Sequence, residues 1–203
     1  MESEQTLTRE NELKSDAPLD ERREQIKNAA LKVFAKRGIE GTKMSMIAAE
    51  AGISQGLSYR YFSSKEEIFT LLVQEAIDEA QSAIRNIPNL PGSPREQFKS
   101  FTEKMLEDNH KYYFMLLQQA QTSEEVPMQV KQLLKQYQAE ETISLFEPIF
   151  IKGQQIGEFC EGDPHKLLFL YFSVITGLML QDIPNARGSW LQEVDILMKI
   201  LTK

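Results

Sequence analysis

The side chains best suited to chemistry cluster in one run, TKMSMIAAEAGISQGLSYRYFSSK, residues 42–65. Within it Tyr59, Arg60 and Tyr61 stand side by side, followed by Lys65. Arginine and lysine supply charge to phosphate oxygens, while tyrosine hydroxyls and the free amides of a capped helix start supply neutral donors. Gln55 and Leu57 fall on the first turn of the helix that these residues close. A glutamine there can bond adenine bidentately, and an apolar side chain can touch the thymine methyl. The implied chemistry is a grip on DNA phosphates around a helix that reads base edges. A hairpin buried in a core has no use for so many outward donors, although its spacing alone would look the same.

Two short helices across a tight turn must position those groups. Ile47, Ala48 and Ala51 give one apolar face, with Thr42 ahead as a cap and Gly52 behind as the turn residue. Ser54 is placed to cap a second helix, Gln55 to Phe62. A preceding helix, Glu21 to Lys36, carries the stripe Ile26, Ala29, Ala30, Val33 and Phe34 and ends at Gly38. Charge agrees with this division. Residues 1–20 carry a net −4, residues 21–65 a net +5 and residues 66–203 a net −8, within a whole-chain charge of −7. A basic head on an acidic body favours an oriented approach to DNA over general coating of it.

Residues 22–70 resemble the N-terminal domain of the tetracycline-repressor (TetR) family of bacterial regulators. The resemblance rests on Gly38, Thr42, Ile47 and Ala48, and on G-I-S-x-G-x-x-Y-x-Y-F-x-S-K from Gly52 to Lys65. It implies an all-helical homodimer whose recognition helices enter successive major grooves of a near-palindromic operator. It also implies a small effector in the C-terminal domain that alters their separation, giving a ligand-responsive regulator, most simply a repressor. Carried over by position, Thr42 and Ser45 touch phosphate. Ser54, Gln55, Gly56 and Leu57 face the DNA at the start of the recognition helix, and Tyr59, Arg60, Tyr61 and Lys65 contact phosphates or nearby bases. The family's usual threonine–leucine pair is Leu57–Ser58 here, which exchanges hydroxyl and apolar positions and implies a different operator.

Composition sets the frame. At 203 residues, 41% hydrophobic and 26% charged, the chain suits one large or two modest globular domains. The apolar run Leu167 to Leu180 is interrupted and too short to span a bilayer, and the first 25 residues are polar and acidic, unlike a cleavable signal. A single cysteine, Cys160, precludes an intramolecular disulfide, and the expected compartment is the cytoplasm. Residues 1–20, with Pro18, predict a disordered tail.

Beyond the head, Ser63 with Glu66 and Ser64 with Glu67 both fit a capping box. The helix they open runs to about Asn86, about 30 Å, and links residues 21–67 to the body. PNLPGSP, Pro88 to Pro94, marks the boundary of a C-terminal domain over 88–203. Helical patterning resumes near 95–107, 110–122 and 127–155, with Pro148 expected to kink the last, and then at 164–181 and 189–202. Nothing alternates like a strand, and the chain reads as all-α.

The helix from Pro164 is apolar on more than one face, so one side suits the core and the other a partner subunit. The expected dimer face comprises Leu167, Leu170, Val174, Gly177 and Leu178, with Trp190, Val194 and Leu197 from the last helix. A pocket for a small apolar effector is expected around Met105, His110, Tyr113, Phe114, Leu117 and Gln118, completed by Phe150 and Phe172. The same residue types also build ordinary helical cores. Catalytic motifs are absent, His110, Cys160 and His165 match no zinc spacing, and no cofactor or metal is expected. Two rivals stay open: a ligand-independent activator or nucleoid or cell-division factor on the same scaffold, and a helical protein-interaction module.

Overall fold

The computed structural model describes residues 2–136, 141–180 and 190–202, and all their regular structure is helical. Helix α1 spans Glu2–Arg37, reaching back through the stretch expected to be a tail. Glu, Gln, Leu, Lys and Arg make up half of that stretch, and local helix propensity does not require an apolar face to pack. Helix α2 (Met44–Glu50) and α3 (Gln55–Ser58) follow, then the long α4 (Lys65–Asn86) and a 3-10 turn at Ile87–Asn89.

The body contains α5 (Pro94–Leu106), α6 (Asp108–Thr122), α7 (Met128–Gln136), α8 (Glu141–Gln155), α9 (Pro164–Leu180), a 3-10 turn at Trp190–Glu193 and α10 (Val194–Met198). Of the single helix expected over 127–155, α7 and α8 are described, and residues 137–140 between them lie outside the described residues. Pro148 sits inside α8 instead of ending it, on an exposed face. The last helix is shorter than expected, and its predicted start at residue 189 lies outside the described residues.

Two apolar cores hold the fold. In the first, Ile26, Ala30 and Phe34 of α1 meet Ile47, Phe62, Ile68, Phe69 and Leu72, and Phe34 packs edge-on against Phe69 at 5.0 Å. This core also takes in Leu116, Leu117 and Ala120 of α6 and Val130 of α7. The head is thus continuous with part of the body, and its packing does not stop at the proline-rich segment. The second core gathers Phe98, Phe146, Phe150, Phe159 and Tyr171 with Leu168, Ile175 and Leu201. Phe159 lies over Gly153 of α8, where a Cβ would collide with its ring, and stacks on Phe150 at 4.8 Å.

Candidate DNA interface and effector cavity

The head is pinned from three sides. Gly52 turns the chain between α2 and α3 at φ +66°, and Ile53 N donates to Ala48 O at 2.9 Å to close the turn. The hydroxyl of Ser54 accepts from Leu57 N at 3.2 Å, capping α3 as the sequence predicts. Gln25 Nε2 donates to Ala51 O at 2.7 Å, and Arg23 donates to Tyr61 O at 2.9 Å while its guanidinium stacks over Phe62 at 4.1 Å. Helix α1 therefore sets the positions of both shorter helices. At the start of α4, Ser64 Oγ accepts from Glu67 N, and the Glu67 carboxylate accepts from Ser63 N at 2.8 Å.

This frame leaves Ser45, Ser54, Gln55, Gly56, Tyr59 and Arg60 exposed on one end of the molecule, with Leu57 half-buried beside them. Ser58 is fully buried and donates to Gln55 O at 2.7 Å, so the exchanged pair still points its first member outward and its second inward. Helix α3 closes at Ser58, not Phe62, and Tyr59 to Tyr61 form a turn. Tyr61 is half-buried and packs on the head core.

Two expected phosphate contacts are otherwise engaged. The Thr42 side chain is buried, and its hydroxyl donates back to Gly38 O at 2.7 Å instead of capping α2, whose N-cap is Lys43. The Lys65 ammonium donates to Ile39 O at 2.7 Å and to Thr42 O at 2.9 Å. Both residues shape the turn before α2, a role that sequence position could not distinguish from contact with DNA.

A cavity of about 360 Å³ opens between α4, α5, α6, α8 and α9. Met105, His110, Tyr113, Phe114, Leu117 and Phe172 line it. Phe150 and Gln118 do not. Phe150 is fully buried among Phe98 and Phe159 in the second core, and Gln118 is absent from the lining. Sequence reasoning missed Glu79, Phe101, Lys104, Ser173 and Thr176, together with Ala76, Ala80 and Ala83. The readable signal was those alanines at helical spacing on one side of α4, which leaves room beside the helix.

Of the polar groups in the lining, Glu79 and His110 meet between α4 and α6, whereas Lys104 comes from α5 and Ser173 and Thr176 from α9. His110 Nε2 lies 2.9 Å from Glu79 Oε1, and Nδ1 lies 3.6 Å from Glu107 Oε2. Neither contact has hydrogen-bond direction, and both ring nitrogens are shielded from solvent without a partner. Burial pushes the Tyr113 hydroxyl above its ordinary pKa, and the nearby carboxylates of Glu75 and Glu79 push it further. One turn earlier on α4, Glu75 pairs with Lys27, which also pairs with Glu24. Burial alone would lower the Lys27 pKa, but hydrogen bonds to Glu75 and Glu24 carry it upward overall.

Exposed apolar side chains occur on α8 and α9, and also at Met128, Trp190, Leu191 and Ile196. Phe169 is 60% exposed and Leu170 52%, and Leu145, Ile156 and Leu180 are exposed as well. Val174, Gly177 and Leu178 are half-buried, as is Leu167, which packs on the second core. Trp190 is exposed, but Val194 and Leu197 are buried in that core. Helix α10 buries Val194, Leu197 and Met198 but leaves Ile196 53% exposed.

Residues 26–72 match the profile of bacterial regulatory proteins of the tetR family. This N-terminal region is that of the tetR family. It is 31% identical over 118 residues to the HTH-type transcriptional activator FasR of Mycolicibacterium smegmatis, an alignment covering 56% of this chain and 54% of FasR. The chain thus spans about half the length of that regulator. It is also 27% identical over 142 residues to the fatty acid metabolism regulator protein of Bacillus subtilis, covering 68% of this chain and 71% of that protein. Among solved structures, the ketosteroid transcriptional regulator KstR2 of Mycobacterium tuberculosis shares the fold, with a TM-score of 0.68 at 21% identity over 90% of this chain and 95% of that one. These relatives are transcription regulators, not enzymes. Among the described residues no helix is long and apolar enough to cross a membrane, and no cluster of side chains suits a metal ion.

Proposed function

We propose that this tetR-family regulator represses transcription as a homodimer on a near-palindromic operator and is released by a small, largely apolar effector held in the cavity. The observation that carries the reading is the Ser54-capped α3 helix, which leaves Gln55, Gly56 and Arg60 exposed on a basic head. Ser45 and Tyr59 flank it as phosphate contacts. The exposed faces of α8 and α9, through Leu170, Val174, Gly177 and Leu178, are the proposed contact with a second copy. The cavity beside α4 gives the effector a route to the head, because α4 begins at the turn that Lys65 holds. Relatives named for fatty acid metabolism and ketosteroids support an apolar effector.

The test is fluorescence anisotropy of the full chain with DNA from upstream of its own gene, across a salt series and with competitor DNA. Tight binding that resists competitor and weakens steeply with salt supports a specific reader. Absence of binding at low salt refutes it and favours a protein partner. FasR is named an activator, so activation on the same grip is the second reading, and transcription from the bound promoter separates the two.

A further inference from the structure

Helix α6 belongs to the cavity and to the head at once. Its His110, Tyr113, Phe114 and Leu117 line the cavity, while its Leu116, Leu117 and Ala120 are buried in the first core. Leu117 is in both sets, so a single side chain separates the cavity from the head core there. The far end of α6 reaches the head directly. A Cβ at Gly38 would stand 3.1 Å from Gln119 Oε1, and Ser123, which ends α6, donates its hydroxyl to Glu40 Oε1 at 2.9 Å. Gly38 and Glu40 belong to the turn between α1 and α2, and that turn has little slack. A Cβ at Gly41 would collide with Arg37 O, and the Thr42 hydroxyl donates back to Gly38 O at 2.7 Å. Lys65 bonds the same turn from α4, through Ile39 O and Thr42 O. Two cavity-lining helices therefore converge on the residues that launch α2. Close-packed interiors pass a displacement on instead of absorbing it.

We infer that α6 delivers the effector's displacement directly to the turn at residues 38–42, beside the route through α4, with Gln119 and Ser123 as the positioning residues that couple the cavity to α2. This rests on reading the cavity as the effector site.

Linkage between two ligands of the full chain tests it. One is N-phenylnaphthylamine, a neutral probe that fluoresces once out of water. The other is the DNA duplex that the protein selects from a randomised library. On the unaltered protein, saturating probe is expected to change duplex affinity about tenfold, and the duplex to change probe affinity by the same factor. Gln119→Ala combined with Ser123→Ala should bring that factor close to one while each ligand alone binds as before. Glu40→Gln, which keeps an acceptor for Ser123, retains the coupling, whereas Glu40→Ala weakens it. A merely structural role would shift stability or the separate affinities and leave the factor alone. Full coupling in the double variant overturns the inference while keeping the cavity as the effector site, with α4 as its route. Probe binding that survives Ala80→Phe, which fills the cavity, or that leaves the duplex affinity of the unaltered protein unchanged, removes the effector-site reading and the inference with it. If no duplex is selected, the DNA reading falls as well. Should the double variant not fold, as judged by circular dichroism, Ser123→Ala alone decides, because its bond to Glu40 lies at the surface.

Discussion

Lys65 Nζ lies 2.9 Å from Thr42 O, so the ammonium at the start of α4 holds the turn that launches α2. With its second bond, to Ile39 O, it joins the long helix to the DNA-binding head through charge-assisted contacts. Lys65→Ala is therefore expected to lower stability by about 1.5–3 kcal/mol, the range for hydrogen bonds to a charged group. Denaturant unfolding of the variant measures it. An unchanged midpoint with a reduced salt slope would instead assign the ammonium to phosphate.

Thr42 and Arg60 separate structural from DNA-contacting roles. Thr42→Val removes a buried hydroxyl that bonds Gly38 O, and it should cost about 1 kcal/mol of stability while leaving the salt dependence of DNA binding unchanged. Arg60 is exposed at the end of the recognition element, and Arg60→Ala should lower the salt slope by about one unit and weaken all sequences alike. Gln55→Ala, by contrast, should change operator preference. Anisotropy titrations on several operators at several salt concentrations check all three. An altered slope for Thr42→Val would show that its side chain reaches DNA after all.

The head was legible because its signals are local. Gly52, Ser54 and the Ser64–Glu67 cap each act within a few residues, and each appears in the structure where the sequence puts it. What a polar side chain does with its donors is not local. Thr42 and Lys65 are spent on carbonyls at the end of α1 and in the following turn, which no spacing rule reveals. The cavity is assembled from five helices, so α6 could be recognised as a wall but Glu79 and Lys104 could not. Val194 and Leu197 lie in the second core although their spacing equally suits a subunit contact, because apolar periodicity marks a buried face without saying what buries it.

Gly38 joins the head to α6. Its φ is +65°, and a Cβ there would stand 3.1 Å from Gln119 Oε1. The left-handed conformation alone costs a residue with a side chain about 1–2 kcal/mol. Gly38→Ala should lose at least that amount in thermal unfolding, with part of the loss recovered in Gly38→Ala combined with Gln119→Ala. No recovery in the double variant would show that the backbone conformation, not the contact, carries the whole cost.

Tyr171 links pH to stability in the second core. Burial raises its hydroxyl to about 12, against an ordinary value of about 10, with the Thr102 hydrogen bond pulling the other way. Its folded pKa is the higher one, so the associated stability is fully present below pH 10 and is lost as pH rises through about 12. Spectrophotometric titration should show a late phenolate that ionises with alkaline unfolding and is missing in Tyr171→Phe. That variant should lose about 1 kcal/mol at neutral pH, since Thr102 keeps its bond to Phe98 O. A late step that persists in the variant would assign it to another tyrosine, Tyr113 first.

Leu170 and Leu197 distinguish the open face from the core. Leu170 is 52% exposed on α9, whereas Leu197 is 4% exposed among the residues of the second core. Leu170→Glu puts a charge on the proposed subunit contact without disturbing that core. It should yield a folded monomer by sedimentation velocity, with operator affinity lost because two half-sites are no longer held together. Leu197→Ala opens a cavity and should cost about 2–5 kcal/mol of unfolding free energy through packing within one subunit. If Leu197→Ala instead dissociated a dimer of unchanged subunit stability, α10 would belong to the interface and the inward assignment would fail. If Leu170→Glu remained dimeric, the contact would have to be sought away from the α8–α9 face.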